Sequence, residues 1–199
     1  MCKAKFIVIE GIDGSGTTTQ TKKLANYFKN IGKKIYSTAE PSNNPTGLLI
    51  RKFLKENNKK NCLFRKKQLA LLYAADRLEH YALEIGVNLK MGINVICDRY
   101  LMSTLVYQGF DLNENWIKSL NKYVPLPDLT ILIDVHEDIA LLRRNKRGND
   151  FEFFDNFKFQ KNMRQRYLSL AKKLKIKIID GNKDKIHVLE EILTCFEIN

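Results

Sequence analysis

The chain has 199 residues, of which 44% are hydrophobic and 28% are charged, an ordinary globular composition that excludes a disordered or fibrous chain. No apolar run approaches the roughly 18 residues of a membrane-spanning helix, so we expect no membrane partner. The formal net charge of +12 makes nucleic acids and phosphorylated small molecules candidate ligands. Because the basic residues are spread along the whole chain, a compositional bias is favoured over a nucleic-acid surface.

The N-terminus and the cysteines predict an intracellular protein. The first five residues lead directly into a short apolar run without a signal-peptide cleavage site, so we expect the protein to remain in the cytoplasm. The four cysteines form no CxxC pair and have no histidines nearby in sequence. A structural zinc site is therefore not expected, and free thiols are.

Strand-like and helix-like segments alternate along the chain. Short apolar runs rich in β-branched residues predict buried strands at 6–9, 34–38, 93–97, 129–133 and 176–179. Helical spacing predicts helices at 18–30, 46–55, 63–89, 116–123, 136–144, 157–174 and 185–196. This alternation predicts an α/β fold in three layers, with a five-stranded parallel sheet covered by helices on both faces.

A glycine-rich loop follows the first predicted strand. Residues 10–20 read EGIDGSGTTTQ and nearly match the phosphate-loop pattern GxxxxGK[ST]. Glycines at 11, 14 and 16 let backbone N–H groups surround an anion, and the next helix adds its positive end. The hydroxyl of Thr18 lies where it would hold Mg²⁺. The predicted phosphate-binding residues are Gly11, Asp13, Gly14, Ser15, Gly16, Thr17, Thr18 and Thr19.

One position departs from the phosphate-loop pattern, because Thr17 stands where the lysine is expected. Losing a hydrogen bond to a charged group typically costs roughly 1.5–3 kcal/mol. A glycine-rich turn without a ligand is the alternative interpretation. The position of the loop, between the first strand and the first helix, favours phosphate binding.

A second polar segment, Asp98-Arg99-Tyr100, follows the third predicted strand. Ligands of open α/β sheets bind at the carboxyl ends of the strands. Asp98 is placed to organise Mg²⁺ through water, and Arg99 is placed to grip a phosphate with two parallel hydrogen bonds. A surface Asp-Arg ion pair is the alternative.

Five segments, in order, resemble motifs of the thymidylate kinases. Residues 98–109 (DRYLMSTLVYQG) are similar to the family's DRY-xx-S-xx-AYQ-G signature, and residues 72–77 (LYAADR) to its LFxADR segment. Similar matches are found at 40–51 (EPSNNPTGLLIR), 127–135 (PDLTILIDV) and 167–171 (YLSLA). The resemblance covers residues 5–195 and implies a phosphate-loop kinase that uses ATP and Mg²⁺ to phosphorylate dTMP to dTDP.

The resemblance also assigns the acceptor site. It implies that Asp13 contacts the sugar of dTMP and helps to position its phosphate, which Arg99 holds. Arg77 would hydrogen-bond the edge of thymine. Tyr73 stands where the family usually has a phenylalanine stacked on the base, and an aromatic ring serves either way.

The remaining acceptor residues come from two motifs. The resemblance implies that Ser103, Tyr107 and Gln108 line the base and sugar pocket, with Tyr107 crowding the 2′ carbon so that ribose is rejected. Glu40 would approach the metal or the acceptor phosphate.

The cation-rich segment 142–148 falls where the family has its lid, expected here at about 143–156 as a short mobile part of one domain spanning 1–199. Members of the family that have glycine rather than arginine inside the phosphate loop carry the catalytic arginine in the lid, and Gly14 puts this chain in that group. Arg147 is the first candidate and Arg143 the second, and we expect them, or a nearby lysine, to replace part of the missing lysine charge. The lid reads Asp150-Phe151-Glu152, without the family's arginine. The predicted catalytic residues are Arg147, Arg143, Asp13 and Arg99.

Several alternatives stay open at this stage. Another nucleoside monophosphate is a possible substrate, although Arg77, Tyr107 and Gln108 argue against it. The two departures from the family pattern, Thr17 and Phe151, support a nucleotide-binding module without turnover. A nucleic-acid-binding domain would require clustered arginines and exposed aromatic residues. The resemblance further implies a homodimer with contacts along helix 63–89, and an adenine site near residues 180–182.

Overall fold

The computed structural model describes residues 3–55, 62–146 and 157–196. Its centre is one parallel sheet of five strands in the order β2-β3-β1-β4-β5. The strands are β1 (Phe6–Glu10), β2 (Ile35–Ala39), β3 (Asn94–Asp98), β4 (Leu129–Asp134) and β5 (Lys177–Asp180). The α/β prediction is confirmed, and each strand lies within one residue or so of its predicted position.

Helices connect the strands and cover the sheet. They are α1 (Thr17–Asn30), α2 (Pro45–Lys55), α3 (Leu63–His80), α4 (Gly86–Lys90), α5 (Leu101–Asp111), α6 (Glu114–Leu120), α7 (Glu137–Asn145), α8 (Phe157–Leu174) and α9 (Lys185–Thr194). The helices differ from the prediction in three respects. Helix α5 was not predicted, a π-helical turn at Tyr81–Ile85 divides the predicted helix 63–89, and α6 begins earlier than 116 because the Asn113 side chain caps it by accepting from the N–H of Trp116.

The two faces of the sheet are buried in different apolar clusters. Along β1, Ile7 and Ile9 belong to a cluster with Leu24 of α1, whereas Phe6 and Val8 belong to a second cluster with Ile85 of the π-helical turn, against which Leu89 of α4 packs. Because successive side chains of a strand point to opposite faces, this division shows that helices cover both sides of the sheet. Among the described residues, no helix is long and apolar enough to cross a membrane.

Strand order places the two polar segments side by side. β1 pairs in parallel with β3, and Ile9 lies opposite Asp98. The loop after β1 and the turn after β3 therefore leave the sheet at the same edge. The N–H of Arg99 donates to the carbonyl of Ile9 at 2.9 Å, which ties this turn to β1.

Candidate active site

The loop after β1 has the backbone of a phosphate loop. Gly14 and Gly16 have φ angles of 88° and 97°, in the left-handed region that favours glycine. A Cβ at Gly14 would lie 2.3 Å from the carbonyl oxygen of Ala140 in α7, so the loop packs directly against that helix. α1 begins at Thr17. The N–H groups of its first turn have no partners within the helix and suit an anion.

A hydroxyl and a carboxylate meet beside this helix end. The Thr18 hydroxyl donates to Oδ2 of Asp98 at 2.5 Å, which joins α1 to β3. The other oxygen, Oδ1 of Asp98, is buried without a hydrogen-bond partner in the part of the chain described. An orphaned carboxylate oxygen next to a hydroxyl fits the oxygen ligands of Mg²⁺. Within the described ranges no group of three or more His, Cys, Asp or Glu forms a metal cage, so water and phosphate oxygens would complete the shell.

A cavity of about 250 Å³ opens beside Asp98 and the phosphate loop. The predicted site residues that line it come from four segments that are distant in sequence, and helices α3 and α5 supply half of them. The described lining consists of Asp13, Thr18, Glu40, Pro41, Leu54, Tyr73, Arg77, Asp98, Arg99, Tyr100, Ser103, Thr104, Tyr107 and Gln108.

Asp13 and Arg99 form an ion pair in this cavity. Nη2 of Arg99 lies 2.7 Å from Oδ1 of Asp13. Oδ2 of Asp13 accepts from the Tyr107 hydroxyl at 3.3 Å and from the Gln160 amide at 3.1 Å. Residues on α5, on α8 and in the turn after β3 therefore fix the carboxylate of the phosphate loop.

The environment holds Arg99 as a permanent cation. Burial lowers the pKa of its guanidinium, but the neighbouring acidic groups, Asp13 first among them, together outweigh burial and raise the pKa well above its ordinary value. Its backbone φ of 67° is left-handed, a conformation that costs on the order of 1–3 kcal/mol for a residue other than glycine. Such strain is typical of functional turns.

Glu10, which the sequence analysis did not single out, lies beneath the Arg99 turn. Its carboxylate accepts from the N–H groups of Tyr100 and Ser103 at 2.9 and 3.2 Å, at the start of α5. It also accepts from the hydroxyls of Ser103 at 2.6 Å and Tyr167 at 3.2 Å. Burial raises the pKa of Glu10, although the Ser103 hydrogen bond and the charge of Arg99 oppose the shift. The signal in the sequence that could have identified Glu10 is its position, an acidic residue at the end of an apolar strand.

Glu40 and Arg77 form a second ion pair, which is deeply buried. Nη2 of Arg77 lies 2.8 Å from Oε2 of Glu40, and the two side chains are 1% and 2% exposed. Oε1 of Glu40 faces Nδ1 of His80 at 3.4 Å. The carboxylate of Glu40 is therefore engaged by two side chains of α3 at the wall of the cavity.

The lid side is described only in part. Arg143 lies near the end of α7 and donates to the carbonyl of Gly181 at 2.9 Å, outside the cavity lining but at the predicted adenine segment. Arg147, like residues 148–156 of the predicted lid, lies outside the described residues. Arg164 of α8 holds both oxygens of Asp134 at 2.7 and 2.9 Å and donates to Glu137 at 2.9 Å. These bonds join the middle of α8 to β4 and α7.

The fold and this arrangement define a phosphate-loop kinase with a cavity for a small phosphorylated acceptor. The sequence profile of the thymidylate kinase family matches residues 9–192. A probable thymidylate kinase of Pyrococcus abyssi is 39% identical over 191 residues, which cover 94% of this chain and 93% of that protein. The probable thymidylate kinase of Thermococcus kodakarensis is 38% identical over 200 residues (96% and 97%), and that of Methanocaldococcus jannaschii 41% over 182 residues (91% and 89%). The chain belongs to the thymidylate kinase family, whose function is the phosphorylation of dTMP, and is a nucleoside monophosphate kinase.

Proposed function

We propose that this chain transfers the γ-phosphoryl group of ATP to the phosphate of dTMP in a Mg²⁺-dependent reaction. The observation that carries the proposal is the cavity beside the phosphate loop, where residues of four sequence motifs meet. ATP would bind on the loop and dTMP in the cavity, so the reacting phosphates would face each other. The proposed substrates are metabolites of the cytoplasm, and we place the protein there.

Arg99 is proposed to hold the dTMP phosphate. Its guanidinium lies in the cavity beside the phosphate loop, and a guanidinium matches two phosphate oxygens at once. Asp13, paired with it, would contact the sugar, while Tyr107 would exclude a 2′ hydroxyl. Tyr73 and Gln108 would surround the base. No general base is required, because the dTMP phosphate is already an anion and phosphoryl transfer depends on positioning and charge.

Mg²⁺ would be held by Thr18 directly and by Asp98 through water. When bound, the ion supplies charge neutralisation for the phosphate oxygens. The charge balance supports this proposal, because the described cavity lining contains the carboxylates of Asp13, Glu40 and Asp98 but only the guanidiniums of Arg77 and Arg99. The triphosphate of ATP and the phosphate of dTMP together need more positive charge than these side chains provide.

Arg147 and Arg143 are proposed to replace part of the missing lysine charge. Thr17 is 5% exposed and uncharged at the position that faces the β- and γ-phosphates in the motif. An arginine on a transferring phosphoryl group contributes roughly 10³ to 10⁵ in rate. Arg147→Ala should reduce kcat by far more than about tenfold, and Lys146→Ala, which removes the neighbouring cation, should not. A loss of less than about tenfold in Arg147→Ala would contradict this role.

A homodimer through α3 is also proposed. Phe64, Leu71 and Leu78 are 79%, 50% and 45% exposed, and their seven-residue spacing puts them on one face of the helix. Sedimentation should show a dimer that Leu71→Asp dissociates. Leu174→Asp, at an exposed leucine on α8, should leave it intact, and a monomeric parent would contradict the proposal.

The direct test is ADP release with ATP, Mg²⁺ and a panel of nucleoside monophosphates. We expect turnover on dTMP, weaker turnover on dUMP and little on the others. A different preferred monophosphate would move the assignment within the enzyme class. No turnover, with nucleotide still bound in equilibrium dialysis, would support the nucleotide-binding module suggested by Thr17.

A further inference from the structure

The buried guanidinium of Arg77 has almost all its hydrogen-bonding capacity committed to the protein. A guanidinium has five N–H groups, one on Nε and two on each Nη. Nε donates to Glu40 at 2.9 Å. Nη2 donates to the Thr104 hydroxyl at 2.8 Å and to the Tyr100 carbonyl at 3.2 Å. Only Nη1 keeps an N–H without an acceptor in the described ranges, and it belongs to a residue that lines the cavity.

The other N–H of Nη1 is taken by Asn121, the residue that follows α6. It donates to Oδ1 of Asn121 at 2.5 Å. The amide of Asn121 cannot turn over freely, because its Nδ2 donates to the carbonyl of Ile117 at 2.8 Å. Asn121 is 4% exposed and does not belong to the described lining of the cavity. Asn121 therefore holds the guanidinium of Arg77 at Nη1 and is not placed to contact a ligand in the cavity.

His80 fixes the opposite side of Arg77 through Glu40. Its ring is fully buried, with Nδ1 3.4 Å from Oε1 of Glu40 and Nε2 2.7 Å from the Thr38 hydroxyl. The ring therefore bridges β2 to the carboxylate that holds Nε and Nη2 of Arg77. Like Asn121, it does not belong to the described cavity lining.

We propose that Asn121 and His80 are positioning residues that leave Arg77 one directed N–H, so that the cavity accepts a base with a carbonyl at that position and rejects one with an amino group. The inference rests on the proposed function and on the role that the family resemblance implies for Arg77, a hydrogen bond to the edge of thymine. One fixed donor pairs with a carbonyl oxygen, whereas an amino group would bring two donors together. A loosely held guanidinium can turn away and lose this discrimination.

The test compares dTMP, dUMP and dCMP in variants of Asn121. Asn121→Leu removes the acceptor at similar volume, and Asn121→Asp, the matched control, keeps an acceptor oxygen. We expect Asn121→Leu to raise the KM for dTMP and to lower the dTMP-to-dCMP ratio of kcat/KM, each by about tenfold. The KM for ATP should stay within about twofold, and Asn121→Asp should retain most of the ratio. An unchanged ratio, or an equal rise in both KM values, would overturn the proposal.

Variants of His80 keep the proposal testable if Asn121→Leu does not fold. His80→Asn can retain a donor towards Glu40, whereas His80→Leu cannot, so the first should preserve more of the ratio than the second. Equal ratios in both would overturn the inference. If the parent phosphorylates none of the three, the proposed function fails, and the inference is then decided by calorimetric affinities for dTMP and dCMP. A parent with no preference between them would overturn it.

Discussion

The site has two halves, the cavity proposed to bind dTMP (the acceptor half) and the phosphate-loop side proposed to bind ATP (the donor half). They differ in how fully their polar groups are paired within the protein. In the cavity, each arginine has a carboxylate partner, Arg99 with Asp13 and Arg77 with Glu40. On the phosphate-loop side, buried oxygens of Ser15, Thr21 and Asp98 have no partner in the described ranges. The acceptor half is thus fixed before any ligand binds, and the donor half depends on the ligand and the lid to complete it.

This difference has an energetic reason. Buried polar groups are costly when unpaired, so a site that recognises a small base by direction must hold its donors with the protein's own acceptors. A phosphate loop binds an anion with backbone N–H groups and needs no such network. Disrupting the acceptor half should therefore change activity most, while adding charge to the donor half should improve it.

The largest effect is expected for Arg99→Met, which removes the phosphate-holding cation and leaves Asp13 unpaired. We expect kcat/KM for dTMP to fall by roughly 10³, since arginines on reacting phosphates are worth about 10³ to 10⁵. Steady-state kinetics with each substrate varied in turn will measure the loss.

Arg99→Lys is the control for that change. Lysine keeps the charge but loses the planar fork, so its loss should be intermediate. If Arg99→Met costs less than about tenfold, or raises the KM for ATP as much as that for dTMP, Arg99 is not specific to the acceptor half.

Thr17→Lys, in the donor half, should raise activity instead of lowering it. A lysine at this position restores a charged hydrogen bond worth roughly 1.5–3 kcal/mol, so kcat/KM for ATP should rise about tenfold to a hundredfold. Thr17→Met tests length without charge and should bring no gain. A Thr17→Lys variant no faster than the parent would show that other groups already supply this charge.

Much of the fold could be predicted because its signals are local. Each strand is a short run rich in β-branched residues, and the glycines at 14 and 16 indicate the positive φ angles that the structure has. Motif positions also predicted the cavity, because Asp13, Arg99 and Tyr107 all line it. The order of strands then brings β1 and β3 together, so the two polar segments meet.

The remaining features depend on contacts that no local pattern records. Gln160 reaches Asp13 across 147 residues, and Asn121 reaches Arg77 across 44. Glu40 was expected near the metal or the acceptor phosphate, and the structure engages its carboxylate with Arg77 and His80. Helix α5 was missed because its residues were interpreted only as a binding motif. A single sequence shows which residues are polar but not which of them face one another after folding.

The smallest effect concerns the lid side, where Arg164 of α8 donates to Glu137 of α7. Burial raises the pKa of Glu137, but hydrogen bonds from its own N–H and from Arg164 outweigh burial and lower the pKa overall. A carboxyl with a lowered pKa stabilises the fold above its unfolded value and loses that contribution as pH falls through the folded one. Glu137→Gln should therefore reduce the free energy of unfolding by about 1 kcal/mol near neutral pH.

That difference should disappear in acid, because the parent carboxyl is then protonated in both states. Urea unfolding at a series of pH values from about 7 down to about 3 will show whether the two curves converge below the ordinary carboxyl pKa. If the difference in the free energy of unfolding between the parent and Glu137→Gln stays the same at every pH, Glu137 stabilises the fold by its shape and not by its charge. The link between α7 and α8 would then be neutral packing.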